Sequence, residues 1–337
     1  MQHMDNFAAL SVAALLAFAL AAIGIALTIP WLRAFGAVAD ENDRTMHEGR
    51  IPKGGGAPLL IAAFVAIVIL GSPLDPVLIT CLASVAALSL INDRHSVPFP
   101  IRLVAHFAAA SAIALSLPGD VNALQGTVPY WIDRAVIVIA LAWMMNLYNF
   151  MDGINGIAGV ETIAISVGYL AIVGSAPSGS AHPPLAAAAI GATAGFLIWN
   201  LRPVARVFLG DAGSVPLGLL MGVLMLDLAV RGYWAAALIL PATFVADASL
   251  TLLQRMAAGE KFWQAHKSHH YQRAAQRLGA HLPVVGMVTC ANGVLIVLAL
   301  WSLAAPWLAL AGAIATVALL FWAQDQAGRF RSSDSGP

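Results

Sequence analysis

The sequence predicts an all-α fold, a polytopic membrane protein in which residues 1–337 form a single integral-membrane domain. Three observations carry this. Hydrophobic residues make up 60% of the chain and charged ones 10%, with a mean hydropathy of +0.82, so most of the exterior suits lipid rather than water. Apolar runs recur between short polar breaks, at lengths near the roughly 20 residues of a membrane-spanning helix. Fifteen of the 17 lysines and arginines fall in alternate loops between those runs.

The first run, 7–30, follows MQHMDN, which has no basic n-region, and is longer than the apolar core of a cleaved signal, so it reads as a spanning helix. Ten more runs follow at 57–72, 75–91, 102–117, 134–149, 156–174, 184–200, 214–230, 233–253, 283–303 and 305–323, giving eleven spans. Several are shorter than a straight span and need a packed bundle for part of their burial. Loops after odd-numbered spans hold Arg33, Arg44, Arg50, Lys53, Arg94, Arg102, Arg202, Arg206, Arg255, Lys261, Lys267, Arg273, Arg277, Arg329 and Arg331. Only Arg134 and Arg231 remain for the other face. The positive-inside rule then puts the N-terminus outside, and the C-terminus and the basic loops in the cytoplasm. Zero net charge and scattered basic residues argue against a nucleic-acid partner. Cys81 and Cys290, inside separate apolar runs with no metal-type spacing, read as core thiols.

The basic face also carries every polar cluster with recognisable chemistry. The first loop, DENDRTMHEGRIPKGGG, ends in Lys53 followed by Gly54, Gly55 and Gly56. It reads either as a solvated linker or as a cation beside backbone that can approach a phosphate. Asn92 and Asp93 close span 3, where an acid beside Arg94 is ordinarily an interfacial ion pair. In NLYNFMDGINGIAG, Asn146 and Asn149 share a helical face and Asp152 follows in a glycine-rich exit turn. Amides in the last turn of a membrane helix are costly unless they bind something. Asn155 and Gly156 then lead into span 6, whose N-terminus is suited to an anion.

FLGDAGS places Asp211 between glycines, with Ser214 in position to cap span 8. The second reading is a metal-binding carboxylate beside amides aimed at phosphate, since Mg²⁺ typically takes one or two protein carboxylates. Arg202 and Arg206 upstream add phosphate-pairing charge. In HKSHHYQRAAQR, a helix would set His266, His270, Arg273 and Arg277 along one face, a row of donors suited to a diphosphate. HxxHH lacks the intervening glutamate of HExxH, which argues against zinc. Asp247, mid-span, is either paired for structure or lines a cavity. Together, Asp93, Asp152 and Asp211 with the glycine turns and the His/Arg strip suggest a Mg²⁺-diphosphate site beside lipid, and phosphoryl transfer between a soluble nucleotide compound and a lipid.

The order and content of DxxRxxHxxxxPxGGG, NDR, NxxNFMDGINGIAG, FLGDAGS and HxxHHYQR resemble the polyprenyl-phosphate N-acetylhexosamine-1-phosphate transferases over nearly the whole chain. Tyr148, Phe150 and HKSHHYQRAAQRLGAH look closest to the subgroup that begins O-antigen chains with an N-acetylated 6-deoxyhexosamine; the peptidoglycan-precursor transferases are more distant. The resemblance implies an enzyme of the bacterial inner membrane, with a periplasmic N-terminus, that starts a lipid-linked cell-surface glycan. UDP-N-acetylhexosamine (GlcNAc, QuiNAc or FucNAc) and undecaprenyl phosphate would give undecaprenyl-diphospho-sugar and UMP. It further implies Mg²⁺, with Mn²⁺ as a substitute, and a homodimer. Carried over by motif, Asp93, Asp152 and Asp211 are the catalytic carboxylates, with Asp211 and Asp152 on the metal. Lys53, His266, His270 and Arg273 hold phosphates, and Asn92, Asn146, Asn149, Asn155 and His269 line the substrate site. The family usually shows paired aspartates where this chain has Asn92–Asp93, and a DGxDG turn where it has Asp152-Gly-Ile-Asn155-Gly. Two rival readings are a secondary transporter, against which no internal repeat is visible, and a catalytically impaired relative.

Overall fold

The computed structural model describes residues 2–34, 51–175, 182–260 and 267–327. Among these residues the chain is all-α, with one isolated bridge between Lys53 and Phe208. The helices are α1 (Gln2–Ala34), α2 (Gly56–Ile69), α3 (Pro76–Arg94), α4 (Phe99–Ser116), α5 (Tyr130–Met151), α6 (Ile157–Ser175), α7 (Pro183–Asn200), α8 (Asp211–Val230), α9 (Trp234–Ile239), α10 (Ala242–Ala257), α11 (His270–Leu278), α12 (Leu282–Trp301) and α13 (Pro306–Gln326).

Eight of them, α1, α3, α4, α5, α6, α8, α12 and α13, are long and apolar enough to cross a membrane, so the chain is a multi-pass membrane protein. The expected count of eleven is met differently by the remaining three runs. The 57–72 run becomes the 14-residue α2. The 184–200 run is the 18-residue α7, started by Pro183 and Pro184, whose missing N–H groups cost nothing in a first turn. The 233–253 run is broken into α9 and α10 at Pro241, which cannot continue the hydrogen-bond ladder.

α8 is the axis of the bundle. Every residue from Ala212 to Leu228 is buried, against α2, α3, α5, α6 and α9. Its sequence is apolar on every face from Val215 to Leu226, as a helix surrounded by protein requires, and the buried Asp227 beyond it is met by Tyr169 and Arg231. α1 runs along α7, where Gly191 and Gly195 let the backbone approach Ala14 and Phe18 more closely than a Cβ would allow. At the opposite end of the bundle from Asp211, residues 118–129 fold over the helix ends. Asp133 accepts the Ala123 and Leu124 N–H groups, and Arg134 donates to Asp133, Pro118 O and Val121 O. These two charges satisfy each other in full burial.

Candidate active site

Asp211 is the first residue of α8, one residue after Gly210, whose φ of +74° is a left-handed turn that a glycine enters freely. Three side chains converge on its carboxylate. Oδ1 accepts Asn149 Nδ2 at 2.7 Å; Oδ2 accepts Asn92 Nδ2 at 2.7 Å and Arg102 Nη1 at 3.0 Å. Asn92 comes from the last turn of α3 and Asn149 from the last turn of α5, as expected from their spacing. Asn92 works in both directions, because its Oδ1 also accepts Val97 N–H at 2.9 Å and so holds the short turn between α3 and α4. An aspartate at position 92 would lack the donor that meets Asp211.

Asp93 takes a different place from the one the sequence suggests. Its Oδ1 accepts the Asp211 N–H and its Oδ2 the Ala212 N–H, both at 3.0 Å. A carboxylate from α3 therefore caps α8, satisfying two of its orphan amides and facing the positive end of its dipole. Ser214, expected as the cap, lies inside the first turn, buried, with its Oγ near Asn149 Nδ2 at 3.2 Å. The Gly213 and Ser214 N–H groups go to Gly210 O. The leading amides of α8 are thus spoken for by Asp93 and Gly210, not aimed at a phosphate.

Asp152 is the C-cap residue of α5 and lies at the same face, partly exposed. No hydrogen bond among the described residues reaches its carboxylate. Burial, and then the charges of Asp211 and Asp93, push its pKa well above the ordinary carboxylate range. Three acids within electrostatic reach of one another, one of them without a donor, form a negative centre short of cations.

The Lys53 segment joins this centre by backbone pairing. Phe208 N–H donates to Pro52 O, Gly55 N–H to Phe208 O and Gly56 N–H to Leu209 O, each at 2.9 Å. Gly56 meets Gly213 backbone to backbone, with no space for a Cβ on either. The glycine run is therefore a close-packing device that docks α2 on the start of α8, and the Gly55 and Gly56 amides are not free for phosphate. The Lys53 side chain remains within electrostatic range of Asp93.

Other expected residues lie further out. Asn146 donates to Ala142 O at 2.7 Å and also hydrogen-bonds His106, one turn from Asn149 along α5. Asn155 is buried, its Nδ2 on Arg202 O at 2.9 Å, and holds the turn between α5 and α6 to the end of α7 instead of facing the acids. The Gly156 N–H before α6, suggested for an anion, is taken by Asn200 Oδ1 at 2.6 Å. Arg202 and Arg206 are exposed, and Arg202 Nε donates to Ile198 O at 2.6 Å.

α11 packs over the turn that follows α5, with Tyr271 Oη donating to Phe150 O at 2.9 Å. Its N-terminus repeats the Asp93 arrangement. Asp247 of α10 accepts the His270 N–H at 3.1 Å and the Tyr271 N–H at 3.2 Å, and its Oδ1 is 3.2 Å from His269 Nδ1. Asp247 is thus paired for structure. His269 is buried on that carboxylate, stacked near Tyr271. The expected His/Arg row faces α13: Arg273 Nη2 donates to Asp325 Oδ1 at 3.2 Å and to His270 Nδ1 at 2.9 Å, and Arg277 Nη1 donates to Asp325 O at 2.9 Å. Burial lowers the pKa of His270, and its ring stacks on Phe321 at 4.2 Å. His266 lies outside the described residues.

Arg102 is the residue that sequence reading passed over as a topology charge. The signal was the four-residue turn 95–98, with Pro98 and Pro100 around it, which brings the first turn of α4 back beside Asn92. On the far side of α5, an apolar cavity of about 520 Å³ lies between α5, α8, α9 and α10, lined by residues such as Ile137, Leu141, Met144, Met225 and Trp234. Leu124 and Gln125 of the 118–129 segment close its other end.

The glycosyl transferase family 4 model matches residues 76–229, from the start of α3 to the end of α8. Phospho-N-acetylmuramoyl-pentapeptide-transferase of Heliobacterium modesticaldum is 30% identical over 272 residues, covering 72% of this chain and 82% of that protein. The protein of the same name from Clostridioides difficile is 28% identical over 239 residues, covering 62% and 72%. A probable undecaprenyl-phosphate N-acetylglucosaminyl 1-phosphate transferase of Bacillus subtilis is 22% identical over 255 residues, covering 71% and 69%. Identity to the pentapeptide transferases, placed as more distant on motif content, is higher than to the N-acetylglucosaminyl enzyme, so overall identity does not single out a donor sugar.

Proposed function

Since the chain belongs to glycosyl transferase family 4, the polyprenyl-phosphate hexosamine-1-phosphate transferases, we propose that it moves an N-acetylhexosamine 1-phosphate from a UDP-sugar to undecaprenyl phosphate. An oxygen of the lipid phosphate attacks the sugar-bearing β-phosphorus, a new P–O bond forms, and the bond to UMP breaks. The observation that carries this reading is the acidic centre at the start of α8, where Asp93 caps Asp211 and Asp152 lies within electrostatic reach of both. Glycan initiation on the cytoplasmic side of the bacterial inner membrane, with a 6-deoxy donor such as UDP-FucNAc or UDP-QuiNAc, or with UDP-GlcNAc, follows from the motif content and the positive-inside count.

Asp152 and Asp211 fit a magnesium ion. Among the described residues no set of three or more His, Cys, Asp or Glu is arranged around one point, and Mg²⁺ takes one or two carboxylates with water and phosphate completing its shell. Burial first, and then the charges of Asp211 and Asp93, raise the Asp152 pKa, and that second contribution is what such an ion neutralises. Bound there, Mg²⁺ supplies charge neutralisation to the diphosphate. Asp93 holds the Asp211 peptide in place, and Asn92 and Asn149 orient the Asp211 carboxylate. Asn92 in place of a family aspartate does not remove an essential base. A phosphate monoester has a second pKa near 6, so the acceptor is largely dianionic at neutral pH and positioning carries the catalysis. The apolar cavity beside α5 suits part of the polyprenyl chain, and a second copy of the chain as partner stays part of the proposal.

Purified protein given undecaprenyl phosphate and a panel of UDP-N-acetylhexosamines is expected to release UMP in the presence of Mg²⁺. Silence with every donor would sink the transferase reading and leave the impaired relative.

A further inference from the structure

Of the three donors on the Asp211 carboxylate, one is a cation, and it is the one least held. Asn92 is fixed a second time by Val97 N–H, and Asn149 by Ser214 Oγ. The Arg102 guanidinium reaches the cluster through a single bond, Nη1 to Asp211 Oδ2 at 3.0 Å. Its Nε is buried with no acceptor. The pair sits at the rim of the site, with the Arg102 side chain 27% and the Asp211 side chain 22% exposed. Arginine keeps its proton at every working pH, and a carboxylate offers about four lone-pair positions in all. Oδ2 already receives two donors, so a further cation on that oxygen meets both an occupied lone pair and a like charge.

We infer that Arg102 is a resident counter-cation of Asp211 with which a divalent ion must compete for the carboxylate, so that the Arg102–Asp211 pair sets the metal concentration at which the site fills. This rests on Asp211 being a metal ligand, as proposed above. It gives Arg102 a positioning role acting through Asp211: the guanidinium holds the carboxylate toward α4 and yields it in exchange for stronger charge. The geometry favours yielding, because one hydrogen bond at a partly exposed edge is a weak tether.

The test uses full-length protein in detergent, titrated with Mn²⁺ alone and read by loss of the free-ion EPR signal. Arg102→Ala is expected to lower the half-saturating Mn²⁺ concentration about fivefold, the upper range for a partly exposed ion pair, while Arg102→Lys stays near the parent. Guanidinium chloride, well below denaturing concentration, is expected to restore the parent midpoint in Arg102→Ala, and sodium chloride of equal ionic strength is not. An Arg102→Ala midpoint equal to or above the parent's overturns the inference, as does rescue by sodium chloride. Should Arg102→Ala fail to fold, Arg102→Gln takes its place with the same expectations. Asp211→Asn is expected to bind no Mn²⁺ in this range; parent-like binding there overturns the inference together with the metal assignment. Loss of UMP release with every donor, beside a tightened Mn²⁺ midpoint, would overturn the reaction and leave the Arg102 inference standing.

Discussion

The Asp93 carboxylate accepts the backbone N–H of Asp211 at 3.0 Å, so one acid of the centre holds the peptide that presents the other. Replacing Asp93 with Ala removes both cap bonds and is expected to cost about 1–2 kcal/mol of stability, the usual range for a lost helix cap. Asp93→Asn keeps one oxygen for capping and is expected to recover part of that. Melting in detergent beside UMP release checks this. If Asp93 acted only on substrate, both variants would lose turnover at parent stability.

Asp152 predicts a pH dependence. Its carboxyl pKa is raised in the folded protein, so the fold favours the protonated form. The stability this group contributes is present below the ordinary carboxylate range near 4 and is lost as pH rises through the raised value. Mg²⁺ needs the ionised form, so its stabilising effect grows over the same window and binding releases a proton. Thermal shift with and without Mg²⁺ across pH measures this, and Asp152→Asn is expected to flatten the dependence. A Mg²⁺ effect unchanged with pH in the parent would exclude Asp152 from the metal.

Gly56 and Gly213 predict a packing defect. Each lacks space for a Cβ against the other's backbone, so Gly56→Ala or Gly213→Ala must push α2 away from α8, at a cost of about 1–3 kcal/mol. Gly286 has nothing within 4 Å of where its Cβ would stand, so Gly286→Ala serves as the control and is expected to melt at or slightly above the parent temperature.

Asp247 predicts coupling between α10 and α11. Asp247→Ala leaves the His270 and Tyr271 amides without their acceptor and is expected to destabilise by about 1–2 kcal/mol. It should also raise KM for the UDP-sugar more than it lowers kcat, since α11 lies over the turn that carries Asp152. A kcat loss at unchanged KM would point to a direct chemical role instead.

Most of the bundle was legible because membrane spans are written in long apolar runs with basic loops at alternate ends. The 233–253 run was misread as continuous because its composition stays apolar across Pro241, and only the local loss of an N–H breaks it. Asp93, Asp152, Asp211 and Asn149 were legible as a group because each stands at a helix end on the same face. Their division of labour was not. Whether a carboxylate binds a ligand or caps a neighbouring helix depends on which amides the fold brings to it, and Asp93 and Asp247 both meet amides from distant sequence. The Gly55 and Gly56 amides go to the segment before α8 for the same reason: a glycine that permits close approach does not say whether phosphate or protein approaches.

α8 packs on α2, α3, α5, α6 and α9, while α11 rests on α10, α12 and α13. These two sets of neighbours also pack on each other, α6 on α12, α5 on α10 and α9 on α12 and α13, so the acids at the start of α8 and the histidines of α11 belong to one continuous scaffold. A change in α11 therefore has a packed route, through α10 and α5, to the helix whose Asn149 holds the Asp211 carboxylate.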